Sequence, residues 1–207
     1  MDAPKSSGLN RRRPLLTLLL VGGAVVATIP GLTPWLVYDR AAIVSGEVWR
    51  MFTGHWVHFS TAHLFYDVLA LAVAGWISET QKLPNFGWLC GLSPWLISAV
   101  LLFGEPQMRY FGGLSALATT CICYLALFGL HNHTCWRWIC LVALLGICGK
   151  IAVEAATGRM IFAIIQEAPV RVAVASHLAG AGAAFLFYAC TKFGQPCLAT
   201  DLFGDSD

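Results

Sequence analysis

Residues 111–130 read FGGLSALATTCICYLALFGL, twenty positions without one charged side chain. A run of that length and character suits a helix crossing the hydrocarbon core of a bilayer. Its opening is unusual for such a helix. Two glycines, Gly112 and Gly113, and a serine, Ser115, stand where the apolar run begins. Taken alone, Ser115 reads as a small packing or capping residue. Whether it is more depends on what the rest of the chain brings to the same depth.

The composition sets the solvent. Of 207 residues, 57% are hydrophobic and 12% charged, against roughly 25% charged in an ordinary soluble domain. Mean hydropathy is +0.68. So much apolar surface calls for a membrane. A net charge of +2, scattered along the chain, gives no footing for nucleic acid. Of the eight cysteines, most lie inside apolar runs and none forms a CxxC pair. They read as small core residues.

Six apolar runs stand out, at 14–36, 62–80, 86–103, 114–130, 136–156 and 172–191. The expected fold is therefore all-α: a polytopic bundle of six transmembrane helices in one domain. A basic N-terminus (1–13) precedes a six-helix core (14–191), and a flexible tail (192–207) follows. The first run has the basic head of a signal peptide but no convincing cleavage site, so it is read as a retained span. Lys5, Arg11, Arg12 and Arg13 place the N-terminus in the cytoplasm. Six spans return the C-terminus to the same side.

This topology sorts the polar residues by depth. Ser115 opens span four, His63 and Asp67 open span two, and His177 lies early in span six. Lys150 and Glu154 lie near the outer end of span five. All fall in one layer near the outer face, and ionisable groups within spans are costly and point to function. A serine hydroxyl becomes nucleophilic when a base takes its proton, and neutral imidazole is the usual base near neutral pH. Ser115 sits at a helix N-terminus, where backbone N–H groups and the dipole favour developing negative charge. Gly180, Ala181 and Ala184 share the His177 face, and a face this small admits a close helix contact. His63 and Asp67 are four apart and share one face, suited either to an oxyanion donor or to an internal hydrogen bond. His55, His58 and His63 invite a metal reading, but HExxH and a matching acidic ligand are absent, and no metal is expected.

Three stretches carry a family resemblance. GEVWRMFTGHWVHFSTAHLFYD (46–67) resembles the first-loop and second-span signature of rhomboid intramembrane serine proteases. GGLSA (112–116) resembles their GxSG nucleophile motif, and SHLAGAGAA (176–184) their AHxxG motif. The three occur in the family's order, over about residues 46–190. The compact six-span form, TGHWVH (53–58) and GKIAVEAATG (149–158) are similar to the rhombosortase branch.

That resemblance implies a bacterial inner-membrane endopeptidase without cofactor. Its substrates would be membrane-anchored proteins with a C-terminal GlyGly-CTERM tail: a Gly-rich motif, one apolar span and a basic end. The active site would open to the periplasmic side. Ser115 would be the nucleophile and His177 the general base and acid, as a dyad needing no acidic third member. His63, Asp67, Gly113 and Leu114 would form or support the oxyanion hole, and Lys150 and Glu154 would be structural polar residues of span five, an ion pair fixing this helix, with no catalytic role assigned to them. The sequence departs from the pattern twice. Asp67 stands where the family usually has Asn, and Ala116 where GxSG has its second glycine. Both departures motivate an alternative, an inactive rhomboid-like protein that binds transmembrane segments. A small transporter would need inverted repeats or broken paired spans, which the sequence lacks.

Overall fold

The structure, a computed structural model, describes residues 13–158 and 173–193. Lys5, Arg11 and Arg12, most of the segment joining the fifth and sixth expected spans, and the tail beyond Phe193 lie outside the described residues. In chain order the elements are helix α1 (Leu15–Val26), α2 (Thr33–Leu36), strand β1 (Tyr38–Asp39), α3 (Arg40–Val44) and α4 (Arg50–Thr53). A 3-10 turn (Gly54–Trp56) follows, then α5 (Thr61–Thr80), α6 (Phe86–Gly104), strand β2 (Tyr110–Phe111), α7 (Ser115–Gly129), α8 (Cys135–Thr157) and α9 (Val174–Phe193).

Among the described residues four helices, α5, α6, α8 and α9, are long and apolar enough to cross a membrane, whereas α1 and α7 are shorter apolar helices. The expected first span, 14–36, is not continuous. Its 12-residue helix is only about 18 Å long. The break has a local cause: Pro30 lacks an N–H, and Gly31 takes a left-handed backbone with φ +89°. The remaining apolar residues continue as the short α2. Glu79 of α5 fixes the start of α1 instead, accepting from the Leu16 and Thr17 amides at 3.1 and 2.7 Å and from the Thr17 hydroxyl at 2.5 Å. These amides have no partner within their own helix, and the carboxylate also suits the positive end of the dipole.

Helices α5 and α8 start on conventional caps. The Ser60 hydroxyl accepts from the His63 amide at the head of α5. The Thr134 hydroxyl accepts from the Trp136 amide at the head of α8. At its far end α8 closes on Gly158 in a left-handed conformation.

Helix α7 is the centre of the bundle and packs chiefly on α9, α5 and α8. Most of its side chains are buried. By contrast, only Cys140 and Glu154 of α8 are buried, and Trp138, Ile139, Val142 and Leu145 face outward. An apolar helix with an apolar outer face is at home in lipid. The cysteines divide in the same way: Cys90, Cys121, Cys123 and Cys140 are buried, while Cys148 and Cys190 face outward.

The long link between the first and second expected spans, residues 37–61, is folded rather than loose. Strand β1 pairs antiparallel with β2, setting Tyr38 opposite Phe111 and Asp39 opposite Tyr110. Arg50 is buried and donates to the Pro34 and Val37 carbonyls while pairing with Glu47 at 2.6 Å. His55 is buried as well, its Nε2 3.1 Å from the Pro94 carbonyl and 3.1 Å from the Ser98 hydroxyl of α6. The link thereby anchors the segment that leads into Ser115.

Candidate active site

Ser115 is the first residue of α7, and the two glycines before it are both required by the surroundings. A Cβ on Gly112 would lie 2.7 Å from the Val57 carbonyl oxygen. One on Gly113 would lie 2.7 Å from the His63 ring and 3.1 Å from Asp67 Oδ2. Gly113 also has φ +128°, a conformation that side chains disfavour. The backbone entering α7 is thus pressed directly against the His63–Asp67 face of α5.

On the other side stands α9. A Cβ on Gly180 would come 2.5 Å from the Ala116 carbonyl oxygen, so the two helices touch backbone to backbone. This contact brings His177, one turn earlier on α9, to the start of α7. His177 Nε2 lies 3.1 Å from Ser115 Oγ. Its other nitrogen, Nδ1, lies 3.0 Å from Glu154 Oε2, and Lys150 Nζ lies 2.8 Å from the same oxygen. Lys150 Nζ is also 3.2 Å from Nδ1 and 3.4 Å from Nε2 of the ring. Glu154 is 1% exposed and His177 5%.

A second polar cluster faces this one. Asp67 Oδ2 is 3.1 Å from His63 Nε2 and 3.1 Å from His58 Nε2. His58 Nδ1 is 2.9 Å from the Trp56 carbonyl, which can only accept, so Nδ1 carries a proton. His58 Nε2 lies 3.3 Å from the Leu114 amide nitrogen. With Nδ1 protonated, the Nε2 lone pair accepts from Leu114 N–H, and Asp67 Oδ2 lies against the same nitrogen. Among the described residues His63 Nδ1 is buried without a hydrogen-bond partner. An unpartnered lone pair there is cheaper than an unpartnered N–H, so the His63 proton belongs on Nε2, facing Asp67.

Both clusters open on one cavity of about 140 Å³, with Ser115, His177, Lys150 and Glu154 on one wall and His63 and Asp67 on the other. All six side chains singled out in the sequence share it. Gly113 and Leu114 form the backbone between the walls. His58, which the sequence offers only as a potential metal ligand, stands behind the second wall on Asp67 and Leu114. The three histidines 55, 58 and 63 in fact diverge: His55 faces α6, whereas His58 and His63 share Asp67. Ala116 is buried, and the glycine at this helix crossing comes from α9, as Gly180.

A serine in hydrogen-bond contact with an imidazole at the head of a central helix lies within a bundle of apolar helices, the architecture of a polytopic membrane protein. Residues 45–192 match the Rhomboid domain. The chain belongs to the rhomboid family, whose members are generally intramembrane serine proteases, and it is a multi-pass membrane protein. A search of the curated proteins returns no match.

Proposed function

We propose that the chain is an active intramembrane serine endopeptidase in which Ser115 is the nucleophile and His177 the general base and acid. The observation that carries this reading is the 3.1 Å approach of His177 Nε2 to Ser115 Oγ, which is hydrogen-bond distance for proton transfer. As the Oγ–C bond forms, the hydroxyl proton passes to Nε2 and the scissile carbonyl oxygen becomes an oxyanion. Collapse breaks the C–N bond, and His177 returns the proton to the leaving amine. Water then attacks the acyl-enzyme by the same steps in reverse.

The oxyanion would lie at the N-terminus of α7, near the Ser115 amide, with His63 across the cavity. One such donor is worth about 3–4 kcal/mol in other enzymes. Asp67 fits this site because its Oδ2 is turned to the two imidazoles, His58 and His63. The competing reading, an inactive protein that binds transmembrane segments, draws on Asp67 standing where Asn is usual. It predicts that Ser115 is unreactive.

In the membrane we assign six spans, with α1 and α7 as the short members and both termini in the cytoplasm. The 15 residues of α7 reach only about 22 Å, less than the roughly 30 Å hydrocarbon core. Ser115 would therefore sit below the outer surface, reached by water through the polar cavity. The substrates proposed are exported proteins anchored in the bacterial inner membrane by a GlyGly-CTERM tail. Glycine next to a span weakens the helix there and frees a carbonyl for attack. The test is co-expression with a GlyGly-CTERM substrate. Wild type should release the tail, and Ser115→Ala and His177→Ala should leave it intact. Equal processing by wild type and Ser115→Ala would refute the reading.

A further inference from the structure

Two ionisable groups on the cavity wall have no part in the chemistry above, Lys150 and Glu154. Setting a carboxylate and an ammonium into an apolar helix is costly wherever it occurs. As an i,i+4 pair the two satisfy each other, but they would do so on any face of α8. Here they face His177. Resting on the assignment of Ser115 and His177, we propose that Glu154 is a positioning residue completing a Ser115–His177–Glu154 triad, and that Lys150 aims its carboxylate. The rhomboid resemblance supplies only the serine and the histidine; the acid is this chain's addition.

The argument is one of proton placement. Glu154 Oε2 lies 3.0 Å from His177 Nδ1, and a carboxylate can only accept there. A proton on Nδ1 leaves Nε2 with a lone pair, and Nε2 is the atom facing Ser115 Oγ at 3.1 Å. The opposite tautomer would put a proton on Nε2 and leave the imidazole unable to take one from serine. Lys150 is the apparent rival for Nδ1, but its position excludes it. Its Nζ is almost equally far from the two ring nitrogens, 3.2 and 3.4 Å. A donor on the axis of the Nδ1 lone pair would be much farther from Nε2, which lies across the ring. The ammonium's bond is instead to Glu154 Oε2, at 2.8 Å. With Glu154 1% exposed, water does not compete for that oxygen. During attack the Oγ proton moves to Nε2, Nδ1 keeps its own, and the new imidazolium rests against a carboxylate that stays ionised. This is the role the aspartate plays in Ser-His-Asp hydrolases.

The test uses the full chain in detergent micelles and a fluorophosphonate probe, read as the maximal labelling rate (kinact) and the half-saturating probe concentration (KI). Wild type should label and Ser115→Ala should not; if the two match, the assignment of Ser115 fails, and this inference with it. Given labelled wild type, Glu154→Gln should lower kinact about 100-fold or more with KI within about threefold, since a wrong tautomer costs up to ~10⁴-fold in a serine protease. Glu154→Asp should recover at least tenfold of that loss. A fall of less than tenfold in Glu154→Gln, or no recovery in Glu154→Asp, overturns the triad while leaving the serine assignment intact. Nitrogen-15 NMR of wild type with labelled histidine is independent of any variant's folding. His177 should carry its proton on Nδ1, and a ring protonated on Nε2 alone overturns the proposal.

Discussion

Gly180 of α9 rests on the carbonyl of Ala116 in α7, so closely that a Cβ at Gly180 would come 2.5 Å from that oxygen and 2.9 Å from the Thr120 hydroxyl. The oxygen belongs to helix backbone and cannot swing aside as a side-chain tip does. Gly180→Ala should therefore part α7 and α9, with an overpacking cost of about 1–3 kcal/mol. His177 lies on the same face one turn away, so its Nε2 should withdraw from Ser115. The expected result is a lower melting temperature together with at least a tenfold loss of Ser115 labelling. A variant that melts and labels like wild type would show that the helix crossing does not set the pair.

Gly113 separates geometry from stability more cleanly. Its φ of +128° and its contact with the His63 ring mean that Gly113→Ala must shift the two residues leading into Ser115. A displacement of about 1 Å at a reacting atom can cost about 100-fold in rate. Labelling should fall by that order while circular dichroism still reports a folded helical protein. Unchanged labelling would count against the tight entrance to α7.

His55 gives a prediction outside the spans. Burial pushes its pKa down from 6.5 to about 4, against the backbone carbonyls of Pro94 and Gly113, which favour the proton. The folded protein thus keeps His55 neutral where the unfolded chain protonates it. Stability is then fully present above about pH 6.5 and is lost as pH falls toward 4, by about 3 kcal/mol for a shift of this size. Melting followed in detergent from pH 7 to 5 should show a decline that His55→Gln flattens. Carboxylates stay ionised over most of that window, so a decline that persists unchanged in His55→Gln would assign it elsewhere.

These residues also mark what was legible in the sequence. Hydropathy placed α5, α6, α7, α8 and α9 within a few residues, because a bilayer dictates both length and composition. It missed the break after Val26, since Ile29 and Leu32 keep the run apolar while Pro30 and Gly31 interrupt the backbone. The two-residue pairing of β1 with β2 leaves no periodic trace. Ser115, His177, His63 and Asp67 could be gathered because each is a polar residue at a similar depth in its span. Glu154 was noticed for the same reason, yet its contact with His177 joins α8 to α9 across a rotation that no sequence spacing reports. His58 lay hidden in a histidine-rich link, where only the fold reveals that it turns to Asp67 and Leu114 while His55 turns to α6.

Asp67 is the departure from the family pattern with the sharpest consequence. Its Oδ2 faces His58 Nε2 and His63 Nε2 at 3.1 Å each. Asp67→Asn keeps the shape of this wall and removes its acidic group. An amide nitrogen in place of Oδ2 can donate to His58 Nε2, and the amide oxygen can accept from His63 Nε2. This variant should fold and keep at least a tenth of wild-type labelling. Asp67→Ala should do worse on both counts, because it strips two buried imidazoles of a common partner, at about 1–3 kcal/mol for each group left unsatisfied, and frees His63 from its orientation beside Gly113. If Asp67→Asn were as inactive as Asp67→Ala, the carboxylate itself would be required, and His58 would have to act as the imidazolium that releases Leu114 N–H for the oxyanion.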